Sequence, residues 1–302
     1  MRIGTGLEVG GPVDAVVADA QSLAATGAPT LWVSQIFGWD ALTLLGVVGR
    51  SVPAVELGTA VVPVQPRHPV MLASQALTVH AAIGGRLVLG VGLSHQMVIE
   101  SVFGQRWQRP ASYMEEYLSV LMPVLHGEQV SFSGEQVSAS TFGPLDTPEA
   151  EAPEVLVAAL GPTMLEIAGR LADGTVTWMT GPRTVAEHIV PTIAASAAAA
   201  GRRSPRVAVH LPVCVTDDPD GARERAAKIF GIYGSLPSYQ AMLAREAVAG
   251  PADLAIIGSE EQVASAVTAV ADTGATDCSV TIYGNAEERA RTRRLVSDLQ
   301  PG

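Results

Sequence analysis

The stretch 57–92, LGTAVVPVQPRHPVMLASQALTVHAAIGGRLVLGVG, shows the organisation of the chain on a small scale. A β-branched run (55–62) leads through a Pro-rich link to an Ala- and Leu-rich helical segment (69–82), then to a second apolar run (86–92). An ordinary connection from strand to helix takes about two to six residues and a cap. Here Pro63, Pro66 and Pro69 flank Arg67 and His68. Each proline fixes one backbone torsion, so this link is built to hold its backbone still beside something flat.

The strand-then-helix order recurs on both sides. Strands are expected at 2–7, 30–35, 55–62, 86–92, 154–160, 174–179, 206–215 and 277–284. Helical segments fall between them at 13–26, 69–82, 111–126, 162–171, 184–200 and 260–273, and a last one spans 286–299. Several of the strands are nearly continuous apolar runs, as expected where both faces of a parallel sheet are buried. Eight strands, each followed by helix, predict an α/β fold, a single (β/α)8 barrel. A doubly wound sheet would carry a Gly-rich fingerprint after its first strand. GTGLEVG places glycines at 4, 6 and 10 where the third belongs at 9, so the fingerprint fails. Two stretches interrupt the alternation. Residues 127–153 predict a short hairpin around Ser133-Gly134 followed by a polar linker, and 231–258 predict a further helix before the apolar run DLAIIG. With no repeat or low-complexity divider, residues 1–302 are expected to form one domain with these insertions on its loops.

Of the 302 residues, 48% are hydrophobic and 16% charged, with a formal net charge of −11. That field repels a phosphate backbone, and no basic run is interleaved with aromatics, so nucleic acid is not an expected partner. A small anionic ligand remains compatible, because a helix N-terminus can bind one locally. No segment reaches the roughly 18 apolar residues of a membrane span. The opening MRIGTGLEVGG lacks an export signal, and Cys214 and Cys278 form no CxxC pair, which together predict a cytoplasmic location.

A barrel binds its ligand at the C-terminal strand ends. Here those ends are Val33-Ser34-Gln35, Ala60-Val61-Val62, Gly92-Leu93-Ser94-His95, Ala158-Ala159-Leu160-Gly161 and Trp178-Met179-Thr180. They offer amide, hydroxyl and imidazole groups but no carboxylate, which argues against a paired-acid glycosidase or a metal hydrolase. GVGLSHQ begins like a nucleophile elbow, but Gln96 stands where its last glycine belongs. His95 has no second ligand at metal-binding spacing, so no metal site is expected. It is either a loop residue bonded to its neighbours or a ligand contact. At Gly161-Pro162 the fifth strand breaks and a helix starts whose first amides could meet a phosphate.

Three segments carry a resemblance: LGTAVVPVQPRHPVMLASQALTVHAAIGGRLVLGVGLSH (57–95), RPASYMEEYLSVLMPVLHGEQVSFSGE (109–135) and EVLVAALGPTMLEIAGRLADGTVTWMTGPRT (154–184). In their order and spacing the chain resembles the luciferase-like monooxygenase superfamily, and within it the actinobacterial oxidoreductases that use the deazaflavin coenzyme F420. The resemblance implies a non-prolyl cis peptide between Ala60 and Val61 supporting the flat ring, with Pro63 in the rigid loop behind it. It places Ser34 and Gln35 beside the ring, where family members often carry Asp and His. Leu93, Ser94 and His95 would border the cofactor, and Ala159, Leu160, Gly161 and Pro162 would form the phosphate loop. Trp178, Met179 and Thr180 would make a wall. His95, then Gln35, are the catalytic candidates, as proton donor or substrate hydrogen bond.

The leading expectation is hydride transfer between the C5 carbon of reduced F420 and a small organic substrate, with a homodimer implied by the resemblance. Arg67, Arg106 and Arg109 lie on loops that could meet the coenzyme's acidic tail. An FMN-dependent monooxygenase is the alternative, and a cofactor-binding barrel without turnover is the third.

Overall fold

The computed structural model describes residues 1–147 and 150–300. Residues 148 and 149, inside the linker expected at the end of 127–153, lie outside the described residues. Eight strands form a closed parallel barrel: β1 (Arg2–Gly6), β2 (Thr30–Val33), β3 (Glu56–Thr59), β4 (Leu87–Gly92), β5 (Glu154–Ala158), β6 (Gly174–Trp178), β7 (Arg206–Val215) and β8 (Asp277–Ile282). They pair in chain order, and closure comes where β8 pairs with both β7 and β1. Each expected strand is present, with ends shifted by a few residues.

The strand predicted over 55–62 ends its regular pairing at Thr59 and resumes as the two-residue strand Val62–Pro63 against β4. Between the two pieces the Ala60–Val61 peptide is cis. The helix Pro69–Ala82 follows, started by Pro69 and by the His68 side chain, which accepts from the Val70 N–H. A helix the pattern did not announce, Ala41–Ser51, is capped by Asp40. Its Gly49 lets it approach Ile83 and Leu57, since a Cβ there would lie 2.4 Å from an Ile83 methyl.

Side chains facing into the barrel stack in layers. At the N-terminal end the buried Arg206 guanidinium holds Glu56 (2.6 Å), Asp277 (2.7 Å) and Glu154 (3.0 Å). Above it Trp32 fills the centre with Val88, Leu156, Val176 and Ala208. The indole fits because β3 offers Gly58 beside it: a Cβ there would lie 2.3 Å from the ring. Ala60, Val61 and Ala158, all partly exposed, close this column toward the C-terminal end.

The first insertion contains the expected hairpin, Ser131–Ser133 with Ser138–Ser140. Its turn is held by the Glu116 carboxylate, which accepts from the amides of Glu135, Gln136 and Val137. The second contains the helix Pro237–Glu246 and ends in Ile256–Gly258, a short strand pairing in parallel with the end of β7. Among the described residues no helix is long and apolar enough to cross a membrane, and Cys214 and Cys278 are buried and unpaired.

Candidate active site

At the C-terminal end of the barrel the Ala60–Val61 peptide is clamped from β2. The Ala60 N–H donates to the Val33 carbonyl (2.8 Å), and the Ala60 carbonyl accepts from Ser34 Oγ (2.7 Å). The Val61 carbonyl accepts from the Gln35 N–H (3.3 Å). From β4, the Gly90 N–H and carbonyl both bond Thr59 Oγ1, at 2.9 and 2.7 Å. Gly90 and Gly92 leave the space that Val61 fills: a Cβ on Gly92 would lie 2.6 Å from a Val61 methyl. The result is a fixed floor of small apolar groups.

His95 leads into the short helix Gln96–Ser101, just after Ser94, whose φ of 62° is left-handed. Its imidazole lies edge-on to Tyr233 and Tyr239, at 6.3 and 6.2 Å between ring centroids. Burial holds its pKa below the ordinary histidine value, so the ring is neutral at neutral pH. Tyr233 and Tyr239 come from the second insertion and pack 4.9 Å apart. Trp178 meets Tyr233 at 5.9 Å and Phe230 at 5.7 Å, and its buried indole N–H is directed at Tyr233. An aromatic wall therefore stands over the ends of β4 and β6.

At the end of β5 the Leu160 carbonyl accepts from His188 Nε2 (2.8 Å). Gly161 then starts the helix Pro162–Leu171, which no side chain caps. A Cβ on Gly161 would meet nothing within 4 Å, so the space above it is open.

Of the residues singled out from sequence, Ser34, Ala60, Val61, Leu93, Ser94, His95, Leu160, Gly161, Pro162 and Trp178 stand at this end of the barrel with at least partial exposure. Pro63, Ala159, Met179 and Thr180 are buried behind it. Met179, left-handed at φ 50°, packs with Cys214, Phe230 and Tyr283, and the Thr180 hydroxyl donates to the Trp178 carbonyl. Gln35 is committed to its own loop. Its Oε1 accepts from the Ala41 N–H (2.8 Å) and its Nε2 donates to the Ile36 carbonyl (3.1 Å), so its amide shapes residues 35–41. Arg67 is paired with Asp40 at 2.6 Å and Arg109 with Glu135, whereas Arg106 has no carboxylate partner among the described residues. No cluster of metal-ligating side chains occurs among the described residues.

Sequence reasoning passed over the polar groups beneath the floor. Trp32 Nε1, His210 Nε2 and Ser279 Oγ are buried without partners. They lie on neighbouring staves: His210 pairs in register with Ser279, Ser279 with Gly4, and Trp32 Nε1 lies over Gly4. Trp32 meets His210 edge-on at 4.9 Å. Both line a cavity of about 170 Å3 that also touches Gly6, Ser34 and Thr281. Burial pushes the His210 pKa down to about 3. In RVAVHLPVCV the histidine looked like one more strand residue.

The sequence matches the luciferase-like monooxygenase family over residues 1–277. The chain belongs to that family. Its luciferase-like sequence is 32% identical over 189 residues to an F420-dependent glucose-6-phosphate dehydrogenase of Beutenbergia cavernae, covering 61% of this chain and 55% of that protein. The chain spans about three-fifths of the length of several curated relatives it matches. The luciferase-like barrel also superimposes on an F420-dependent secondary alcohol dehydrogenase in complex with an F420-acetone adduct, with a TM-score of 0.83, 16% identity and coverage of 100% of this chain and 99% of that one. A second similar fold is the FMN-bound oxygenating constituent of 3,6-diketocamphane monooxygenase from Pseudomonas putida, with a TM-score of 0.75, 15% identity and coverage of 98% and 96%.

Proposed function

We propose that this luciferase-like barrel is an F420-dependent oxidoreductase that moves hydride between the deazaflavin and a small organic substrate. The observation that carries this reading is the mouth itself. A floor of small apolar groups (Ala60, Val61, Ala158) meets an aromatic wall of Trp178, Tyr233 and Tyr239, beside open space over an uncapped helix start at Gly161. A flat ring with a phosphodiester arm fits such a set, and the F420-dependent relative supports the choice. When bound, the coenzyme supplies the hydride-carrying C5 carbon.

The chain's own part is to bind, orient and exclude water. The floor keeps solvent from the face it covers, and the aromatic wall of Trp178, Tyr233 and Tyr239 packs beside whatever lies there. Gly161 lets an anionic arm approach the first amides of the helix that it starts. Neutral His95 holds the substrate oxygen, accepting a proton from a substrate hydroxyl as hydride leaves and returning it in the reverse direction. No covalent intermediate with the protein is needed.

Anaerobic titration with F420, followed by the absorbance and fluorescence of the deazaflavin, tests the reading. Saturable binding at micromolar concentration is expected. Absence of F420 binding, together with a yellow protein whose bound FMN reoxidises in air, would overturn it in favour of a flavin monooxygenase.

A further inference from the structure

We propose that His188 is a positioning residue for the coenzyme phosphodiester, acting through the Leu160-Gly161 turn; this rests on the F420 reading above.

The helical segment after β6 runs through 182–199 but is not uniform. Residues Val185–Ile189 form a single π turn between α-helical spans. Pro191 supplies a cause, since it has no N–H to offer the Glu187 carbonyl one turn back. Such wide turns occur mostly as single-turn features at functional positions. The buried positions of the segment run 184, 185, 188, 189, 193 and 197, so His188 lies on its inward face.

The inward face meets the helix Pro162–Leu171, and three contacts fix the pair. Gly169 brings the backbones together, since a Cβ there would lie 2.6 Å from the Ile193 carbonyl oxygen. Ser196 Oγ donates to the Glu166 carbonyl at 2.7 Å. At the end nearest the barrel mouth, His188 Nε2 lies 2.8 Å from the Leu160 carbonyl. A carbonyl oxygen can only accept, so Nε2 carries the proton and the ring is the donor. The bond fixes the carbonyl of the residue immediately before Gly161, and with it the direction in which the next amides of the turn face. His188 does this from behind, since it is buried. It therefore acts on an anion at the turn through the backbone alone.

The test compares binding of two probes under anaerobic conditions: F420, and the same deazaflavin ending at the ribityl hydroxyl without the phosphodiester. His188→Leu removes the donor and is expected to weaken F420 binding roughly tenfold, the scale of one lost hydrogen bond to a charged group. The truncated deazaflavin should bind both proteins equally. His188→Gln, whose amide nitrogen reaches the same place, should restore F420 affinity, and His188→Asn, one methylene shorter, should not. The Gln/Asn pair keeps the test decisive should the Leu variant fail to fold. Equal weakening of both probes, or none of either, would overturn the proposal. A wild-type protein that binds neither probe would remove the F420 reading itself, a distinguishable result.

Discussion

His210 and His95 are both kept neutral by burial, and they differ in what surrounds them. Around His210 stand Trp32, the Asp277 carboxylate and the Arg206 guanidinium. Burial dominates, with Asp277 raising its pKa and Arg206 lowering it, to a result of about 3. Between pH 6.5 and 3 the unfolded chain therefore takes up a proton that the folded one refuses, and acidification destabilises the fold by about 1.4 kcal/mol per pH unit. Urea unfolding at pH 7.0 and 5.5 should show the wild-type protein losing about 1 kcal/mol more than His210→Gln. A parallel loss in both would mean that His210 protonates normally. His95 predicts a kinetic counterpart. With its pKa below the ordinary value, it stays a proton acceptor through pH 6.5. Substrate oxidation should hold its kcat/KM down to that pH and fall only below it. His95→Gln should abolish this limb and reduce the rate about 100-fold.

At the scale of elements, one carboxylate ties the helix of the second insertion to the segment after β6. Glu246, the last residue of the helix Pro237–Glu246, accepts from the Arg183 N–H (3.2 Å), the Thr184 N–H (2.7 Å) and the Thr184 hydroxyl (2.7 Å). It caps the helical segment after β6 from outside, over a Gly181 that has no Cβ to obstruct it. Glu246→Ala should cost about 1–2 kcal/mol in thermal unfolding and expose 231–258 to limited proteolysis. Unchanged proteolysis would place the fastening elsewhere. This insertion also marks where sequence stopped being readable. The eight strands were legible because apolar runs buried on both faces leave an unbroken trace, and Pro162 and Pro69 announce their helices. The helix Ala41–Ser51 was not, because Gly46 and Gly49 weaken its local signal while Gly49 serves a distant contact with Ile83. Ser34, Ala60 and His95 could be placed at the barrel mouth because strand ends must face it. Tyr233 and Tyr239 could not, because an insertion's path over a barrel is set by packing with partners far away in sequence, here Trp178 and His95. The hydrogen bond from the Ala41 N–H to the Gln35 side chain was not legible either, since nothing local reveals it.

For the whole molecule, the two ends of the barrel are built from opposite materials. The N-terminal end is an ion cluster in which one buried guanidinium serves the carboxylates of Glu56, Glu154 and Asp277, from β3, β5 and β8. Arg206→Met would leave the buried Asp277 carboxylate with the partly exposed Arg2 (2.8 Å) as its remaining cation, and a loss of about 3 kcal/mol, the low end for a broken buried pair, is expected in denaturant unfolding. A loss below 1 kcal/mol would mean that the cluster is wetter than its burial indicates. Directly above it the Trp32 indole closes the middle of the tube against Gly58. A barrel shut in this way is a vessel with one opening. In the proposed reaction a ligand on the floor formed by Ala60, Val61 and Ala158 would arrive while the space above is vacant and leave after whatever followed it. Kinetically, that predicts a last-in, first-out queue, read as an ordered sequential pattern in initial-rate measurements.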